Sequence, residues 1–333
     1  MKTKVSYLLC LTLLICSCAP NANQDLNISK NGPIKGLVNY KFSSPAWITD
    51  QTIAFIGKPI MTDRKSRSSL LLYNTQTSTW KVVDFPISDR CDVEGYTFLS
   101  RLPNNNLGAV KICVKGISET RTIVEFSVNG ENEKILVNRT STIGILGKFA
   151  FSPDMGKVVV EDMTNRFLGN KIYLYTNENF INIQNSFTRV MYPDWSGTIN
   201  KIAFWGTENY PGGSPETLST LPEIMSLSSY PWDLYISNSD GTQTIKLLTG
   251  VVDALQIKWS PADHLIAFSG TVNGQSGLFI LDANIPEHPY VVWENLVDFD
   301  WSPNGKNIIL IDNKQNDIVM YILGLESLFL QKE

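Results

Sequence analysis

Apolar and polar positions alternate along this chain in a phrase that keeps returning. Ile257-Lys258-Trp259-Ser260-Pro261-Ala262-Asp263-His264-Leu265-Ile266-Ala267-Phe268 reads as a short strand, a tight polar turn and a second strand. Phe299-Asp300-Trp301-Ser302-Pro303-Asn304-Gly305-Lys306-Asn307-Ile308-Ile309-Leu310 repeats it. In both, seven residues separate the tryptophan from the first isoleucine of the second strand. The same step of seven runs from Phe151 to Val158, from Trp195 to Ile202 and from Arg101 to Gly108, where the aromatic is replaced. Trp47 reaches Ile53 after six. The anchors 47, 101, 151, 195, 259 and 301 lie 54, 50, 44, 64 and 42 residues apart. Short strands at such a period predict a propeller or a similar array, whose units bury their faces only by stacking.

The turn chemistry agrees. Proline presets φ, Asp or Asn bonds its own backbone, and glycine supplies a positive φ. Six units follow, at about 43–90, 91–143, 144–189, 190–251, 252–296 and 297–333. The fourth has the clearest outer hairpin, with Asn238-Ser239-Asp240-Gly241 between two alternating runs. The expected fold is all-β: a six-bladed β-propeller of four-stranded antiparallel blades. Two segments compete to close the ring. Residues 327–331 would give the last blade its own outer strand, whereas residues 37–42 would join the two termini; the N-terminal segment is preferred.

The repeats resemble those of TolB-type six-bladed propellers, and similar ones occur in the propeller of prolyl-oligopeptidase relatives. The resemblance covers roughly 43–333 and is strongest in the last two blades. Neither the N-terminal α/β domain of TolB nor the hydrolase domain of the peptidases has room in the sequence.

The chain begins with Lys2 and Lys4 around an apolar run from Val5 to Ile15, then Cys16-Ser17-Cys18. This is a secretory signal, too short to remain as a membrane span. It resembles a bacterial lipobox, which implies cleavage after residue 17 and lipid on Cys18; the alternative is an ordinary signal peptide. Residues 18–35 are mostly polar and read as a flexible tether, leaving 36–333 for the propeller. The expected location is exported and lipid-anchored, at the cell membrane or the outer membrane. Ala19 favours the outer membrane by resemblance alone.

Composition narrows the chemistry. A net charge of −4 without a long basic run argues against nucleic acid. Only two histidines exist, His264 and His288, both read as loop residues, so a histidine triad or metal site is not expected. There is no G-x-S-x-G elbow and no calcium-loop motif. Asp154, Asp194, Asp263 and Asp300 lie in or beside the repeated turns. They read as turn caps, with a metal or acid/base role in the central channel as the alternative. No catalytic residue, metal or cofactor is assigned.

Two loops leave the pattern. Residues 57–69 carry Arg64, Lys65 and Arg67, and residues 207–231 carry Tyr210, Tyr230 and then Trp232. Long loops with aromatics amid Gly, Ser and Pro suit contact with a peptide or sugar; the alternative is a solvated rim. Cys91 and Cys113 are a candidate disulfide in an exported chain, although simple hairpin register sets Cys113 opposite roughly Tyr96. The expected function is a monomeric, lipid-anchored envelope propeller that binds a protein or glycan. The alternative is a lyase or hydrolase acting on a sugar or lactone in the channel.

Overall fold

The computed structural model describes residues 28–37, 39–60, 68–85, 91–138, 144–164, 170–184, 186–208, 230–261, 264–314 and 317–325. These residues form 24 strands in six four-stranded sheets, with no helix among them. Blade one holds β2 (Tyr40–Thr49), β3 (Thr52–Pro59), β4 (Ser69–Asn74) and β5 (Thr79–Asp84). Blade two holds β6 (Val93–Arg101), β7 (Leu107–Lys115), β8 (Ser118–Phe126) and β9 (Lys134–Val137). Blade three holds β10 (Leu146–Phe151), β11 (Val158–Asp162), β12 (Lys171–Thr176) and β13 (Asn179–Asn182). Blade four holds β14 (Arg189–Trp195), β15 (Lys201–Thr207), β16 (Trp232–Asn238) and β17 (Ile245–Val251). Blade five holds β18 (Ile257–Trp259), β19 (Leu265–Val272), β20 (Gln275–Asp282) and β21 (Ile285–Trp293). Blade six holds β22 (Asp298–Trp301), β23 (Asn307–Lys314), β24 (Asp317–Gly324) and, as its outermost strand, β1 (Ser29–Lys35). The fold is the six-bladed propeller that the repeats predict.

The N-terminal segment closes the ring, but with different residues from those expected. Ser29 pairs with Gly324 and Lys35 with Val319. The closing strand therefore lies in the stretch that its polar composition assigned to a tether. Residues 40–42 belong instead to the innermost strand of blade one. The closing strand is mostly exposed, so little apolar periodicity marks it. Lys30 fixes it laterally, its Nζ 3.7 Å from the Trp293 ring centroid of blade five and 4.6 Å from that of Tyr321.

Burial follows position within the blade. Second strands such as Lys201–Thr207 are buried along almost their whole length because a neighbouring blade covers each face, whereas β7 is fully buried only over its first four residues. The fourth strands β5 and β13 alternate between exposed and half-buried. Six apolar clusters occupy the six interfaces between blades. Trp47, Trp195, Trp259 and Trp301 each pack in the interface with the preceding blade. Arg101 takes that position in blade two, where a Phe85–Tyr96 stack at 3.8 Å fills the interface.

The repeated turn works as its residues suggest. Ser302 Oγ accepts from Asn307 N at 2.9 Å, Asn304 Oδ1 accepts from Lys306 N at 3.0 Å, and Gly305 has φ +70°. Ser152 and Asp154 repeat this in blade three. At the Asp240-Gly241 hairpin φ is +83°, and a Cβ on Gly241 would lie 2.0 Å from the Ile183 carbonyl oxygen.

Cys91 and Cys113 form a disulfide, with Cα atoms 5.4 Å apart. A bulge in β6 between Thr97 and Ser100 absorbs a residue. This moves the partner of Cys113 by one residue, from Gly95 to Glu94, two from the Tyr96 of simple register counting; Cys91 lies ahead of β6 and reaches Cys113 from outside the ladder. The bond closes a loop of 22 residues. Replacing both cysteines with alanine is expected to cost about 3 kcal/mol in guanidinium unfolding. An unchanged midpoint would show that blade two does not rely on it.

Candidate functional site in the central channel

The innermost strands place two tiers of side chains around the axis. One residue before each anchor stand Ala46, Ser100, Ala150, Asp194, Lys258 and Asp300. Three before it stand Ser44, Phe98, Lys148, Tyr192, Gln256 and Asp298. The innermost strands of blades one to four all carry a bulge at this level. Ser44, Phe98 and Tyr192 sit there with φ of +50°, +54° and +53°. Bulges re-aim side chains where a barrel or ring narrows.

Charges of both signs meet inside. Lys258 Nζ lies 3.7 Å from Asp300 Oδ1 and 3.4 Å from Ser100 Oγ, which belongs to the blade across the ring. Lys148 Nζ donates to Gln256 Oε1 at 3.2 Å and lies 5.5 Å from the Phe98 ring centroid. The lysines thus span the channel. Each aspartate holds a backbone N–H of the next blade: Asp194 Oδ2 accepts from Trp259 N at 2.7 Å, Asp300 Oδ2 from Trp47 N at 2.8 Å and Asp298 Oδ2 from Ser44 N at 2.6 Å.

This corrects the expected role of Asp194 and Asp300. They latch neighbouring blades instead of capping their own turns. Asp154 does cap its turn, bonding Ser152 Oγ and Gly156 N. Lys148, Lys258 and Asp298 were not singled out by motif. Their signal was charge, recurring at inner-strand positions that a propeller must bury.

Burial pushes Asp194 up to about 6, although Lys258 and the Trp259 N–H partly offset it. Burial also raises Asp298 and Asp300, against the pull of the lysines. Lys148 is lowered to about 8, first by burial and then by the Lys258 cation. Burial acts against the charge on Lys258, but Asp300, Asp194 and Asp298 outweigh it and raise that group. The channel therefore holds an acid and a base that both titrate near neutrality, a property shared by acid/base sites and by structural ion networks.

On the turn face the channel opens into a cup of about 260 Å³. Trp47, Phe151, Trp195, Trp259, Trp301 and four prolines line it together with Arg101, and Asp194, Lys258 and Asp300 reach it from the tier beneath. Arg101 Nη2 donates to Asn105 Oδ1 at 2.5 Å. Gly197 replaces the proline of the blade four turn; a Cβ there would lie 3.2 Å from the Pro261 carbonyl oxygen, so adjacent turns nest closely.

The other expected positions scatter. Cys18, Arg64, Lys65, Arg67, Tyr210 and Asp263 lie outside the described residues. Tyr230 is half-buried. Trp232, expected to contact a ligand, is 4% exposed and packs between blades four and five, with the Arg189 guanidinium 5.2 Å from its ring centroid. It starts β16 rather than finishing the loop, which makes it a core residue rather than a surface aromatic. His264 is not a solvated loop residue: its Nε2 lies 3.0 Å from Asp282 Oδ2. His288 is exposed on β21. Among the described residues, no three His, Cys, Asp or Glu side chains cluster as a metal site.

No family model matches the sequence, and no curated protein matches it significantly. Solved structures do match its fold. TolB from Acinetobacter baumannii is 14% identical with a TM-score of 0.50, over 86% of this chain and 54% of that one. This chain thus spans about half the length of that TolB. An oligogalacturonate lyase in complex with manganese is 10% identical with a TM-score of 0.55, over 88% and 79%. The gluconolactonase XC5397 from Xanthomonas campestris is 11% identical with a TM-score of 0.55, over 88% of each chain. The chain is thus a six-bladed propeller with TolB-like and enzyme structural neighbours, similar to them in fold.

Asp194 provides a test of the channel's electrostatics. Its folded value near 6 exceeds the ordinary ~4, so the folded state binds this proton more tightly than the unfolded chain does. The group therefore favours the fold at low pH, and that contribution is lost as pH rises from about 4 to about 6. In urea unfolding, wild type should lose about 2–3 kcal/mol relative to Asp194→Asn across that window; parallel profiles would contradict the assignment. Lys258→Met strands the buried aspartates and should destabilise by about 3–5 kcal/mol, read from the same unfolding curves.

Proposed function

We propose that this protein is a lipid-anchored propeller of the bacterial cell envelope, held by Cys18, that binds a protein or glycan in the cup on its turn face. The observation that carries this reading is the state of the channel beneath. Its aspartates hold backbone N–H groups of neighbouring blades, and its lysines cross the axis to partners on other blades. These charges close the ring and form a floor. Above them the cup offers aromatic and proline walls with one guanidinium, a surface suited to a peptide or sugar. The signal-like run before Cys18 supports export and anchoring.

A second reading keeps the enzyme class. Asp194 near 6 and Lys148 near 8 have the proton affinities of an acid/base pair. Structural neighbours include an oligogalacturonate lyase and a gluconolactonase. On this reading the substrate is a sugar acid or a lactone.

Crosslinking in intact envelopes separates the readings, comparing wild type with Arg101→Glu and with a chain lacking residues 209–229. Loss of a specific partner with Arg101→Glu places binding in the cup. Loss with the deletion alone moves binding out of the cup and onto that segment. No specific partner for any form sinks the binding reading, and turnover of sugar acids or lactones that disappears in Asp194→Asn would establish the other. Cys18→Ser should release the protein from membranes; unchanged fractionation would disprove the anchor.

A further inference from the structure

A second cavity, about 450 Å³, opens between blades two and three, on the other side of Phe151 from the cup. Its volume falls in the range of small-molecule sites. Leu136, Phe151 and Met155 give it an apolar wall, and Lys134 and Lys157 stand at its edge.

The charges of this cleft are unevenly used. Glu125 Oε1 accepts from Asn104 Nδ2 at 2.5 Å and from Asn106 Nδ2 at 2.6 Å. Asp154 accepts from Ser152 Oγ and Gly156 N within its own turn. Both acids thus already serve local structure. Among the described residues, the ammonium groups of Lys134 and Lys157 have neither a hydrogen bond nor an ion pair; Lys157 acts on Asp154 and Asp240 only at longer range. Two unengaged cations beside an apolar wall complement a molecule that carries an acid on an apolar body.

Backbone strain points to the same place. Four residues after the anchor, blade six has Gly305 at φ +70° and blade two has Asn105 at +66°. Blade three puts Met155 there at +59°, with Gly156 one residue too late to relieve it. A long side chain in the left-handed region is costly and persists where its surroundings hold it. Here the cost places a polarizable, unbranched side chain on the cleft wall, and methionine adapts its shape to a guest.

We infer that the cleft between blades two and three binds a small amphipathic carboxylate, its acid at Lys134 and Lys157 and its apolar body against Leu136, Phe151 and Met155. Sodium decanoate is the probe, with 1-decanol lacking the charge and sodium acetate lacking the body. Binding is followed by calorimetry and by NMR of methionine methyl groups, with the Met155 signal assigned by its loss in Met155→Leu. Decanoate should bind saturably and shift the Met155 methyl, with decanol and acetate at least tenfold weaker. Lys134→Gln with Lys157→Gln should weaken decanoate about tenfold and leave decanol unchanged. Leu136→Trp should fill the cleft and abolish binding. Met155→Gly, which suits the left-handed backbone and so keeps the fold, should weaken binding several-fold should the tryptophan variant not fold. The inference is overturned by non-saturable binding, by shifts that spare Met155, or by full affinity in the double lysine variant.

Discussion

No blade of this protein can bury both faces of its second strand without a neighbour. The isoleucines, phenylalanines and tryptophans of β3, β15, β19 and β23 are almost fully enclosed, and the enclosing surface comes from the blades on either side. Closure is therefore a condition of the fold. The tryptophan anchors, the nested turns and the aspartate latches all serve the same six interfaces. Even Gly197 follows from this demand, since a side chain there would push two turns apart.

The channel shows how a buried polar network becomes tolerable. Three aspartates and two lysines share the axis, and an ion removed from water costs several kcal/mol unless paired and hydrogen-bonded. Each aspartate finds a backbone N–H across a blade boundary. Those bonds are directional where apolar packing is not, so they define which blade edge meets which. The residual strain surfaces as proton affinities shifted toward neutrality at Asp194 and Lys148.

The fold was readable because its turn is chemical. Ser302, Asn304 and Gly305 each do a separate task that the residue type announces, and the seven-residue step repeats with the turn. The channel was harder to read. Asp194 and Asp300 beside turns looked like caps, because the backbone N–H groups that donate to them lie 65 and 253 residues away. Trp232 looked like a loop aromatic because nothing in the local pattern shows where β16 begins. The disulfide was obscured because simple register counting omits the bulge and because Cys91 lies ahead of the paired strand rather than in it. The closing strand was obscured because one face is wet and its sequence is polar.

That strand has a consequence for how the molecule comes into being. Ser29 meets Gly324, a separation of 324 − 29 = 295 residues. Joining such distant points costs about 5 kcal/mol in chain entropy, recovered only when the whole ring forms. A chain delivered from its N-terminus holds β1 ready long before β24 arrives. Throughout that interval, the blade one face around Trp47 and Phe55 waits for Ile309, Ile311 and Met320. The last residues to appear thus decide whether the first ones are ever covered, and the open ring is the species most exposed to aggregation and proteolysis.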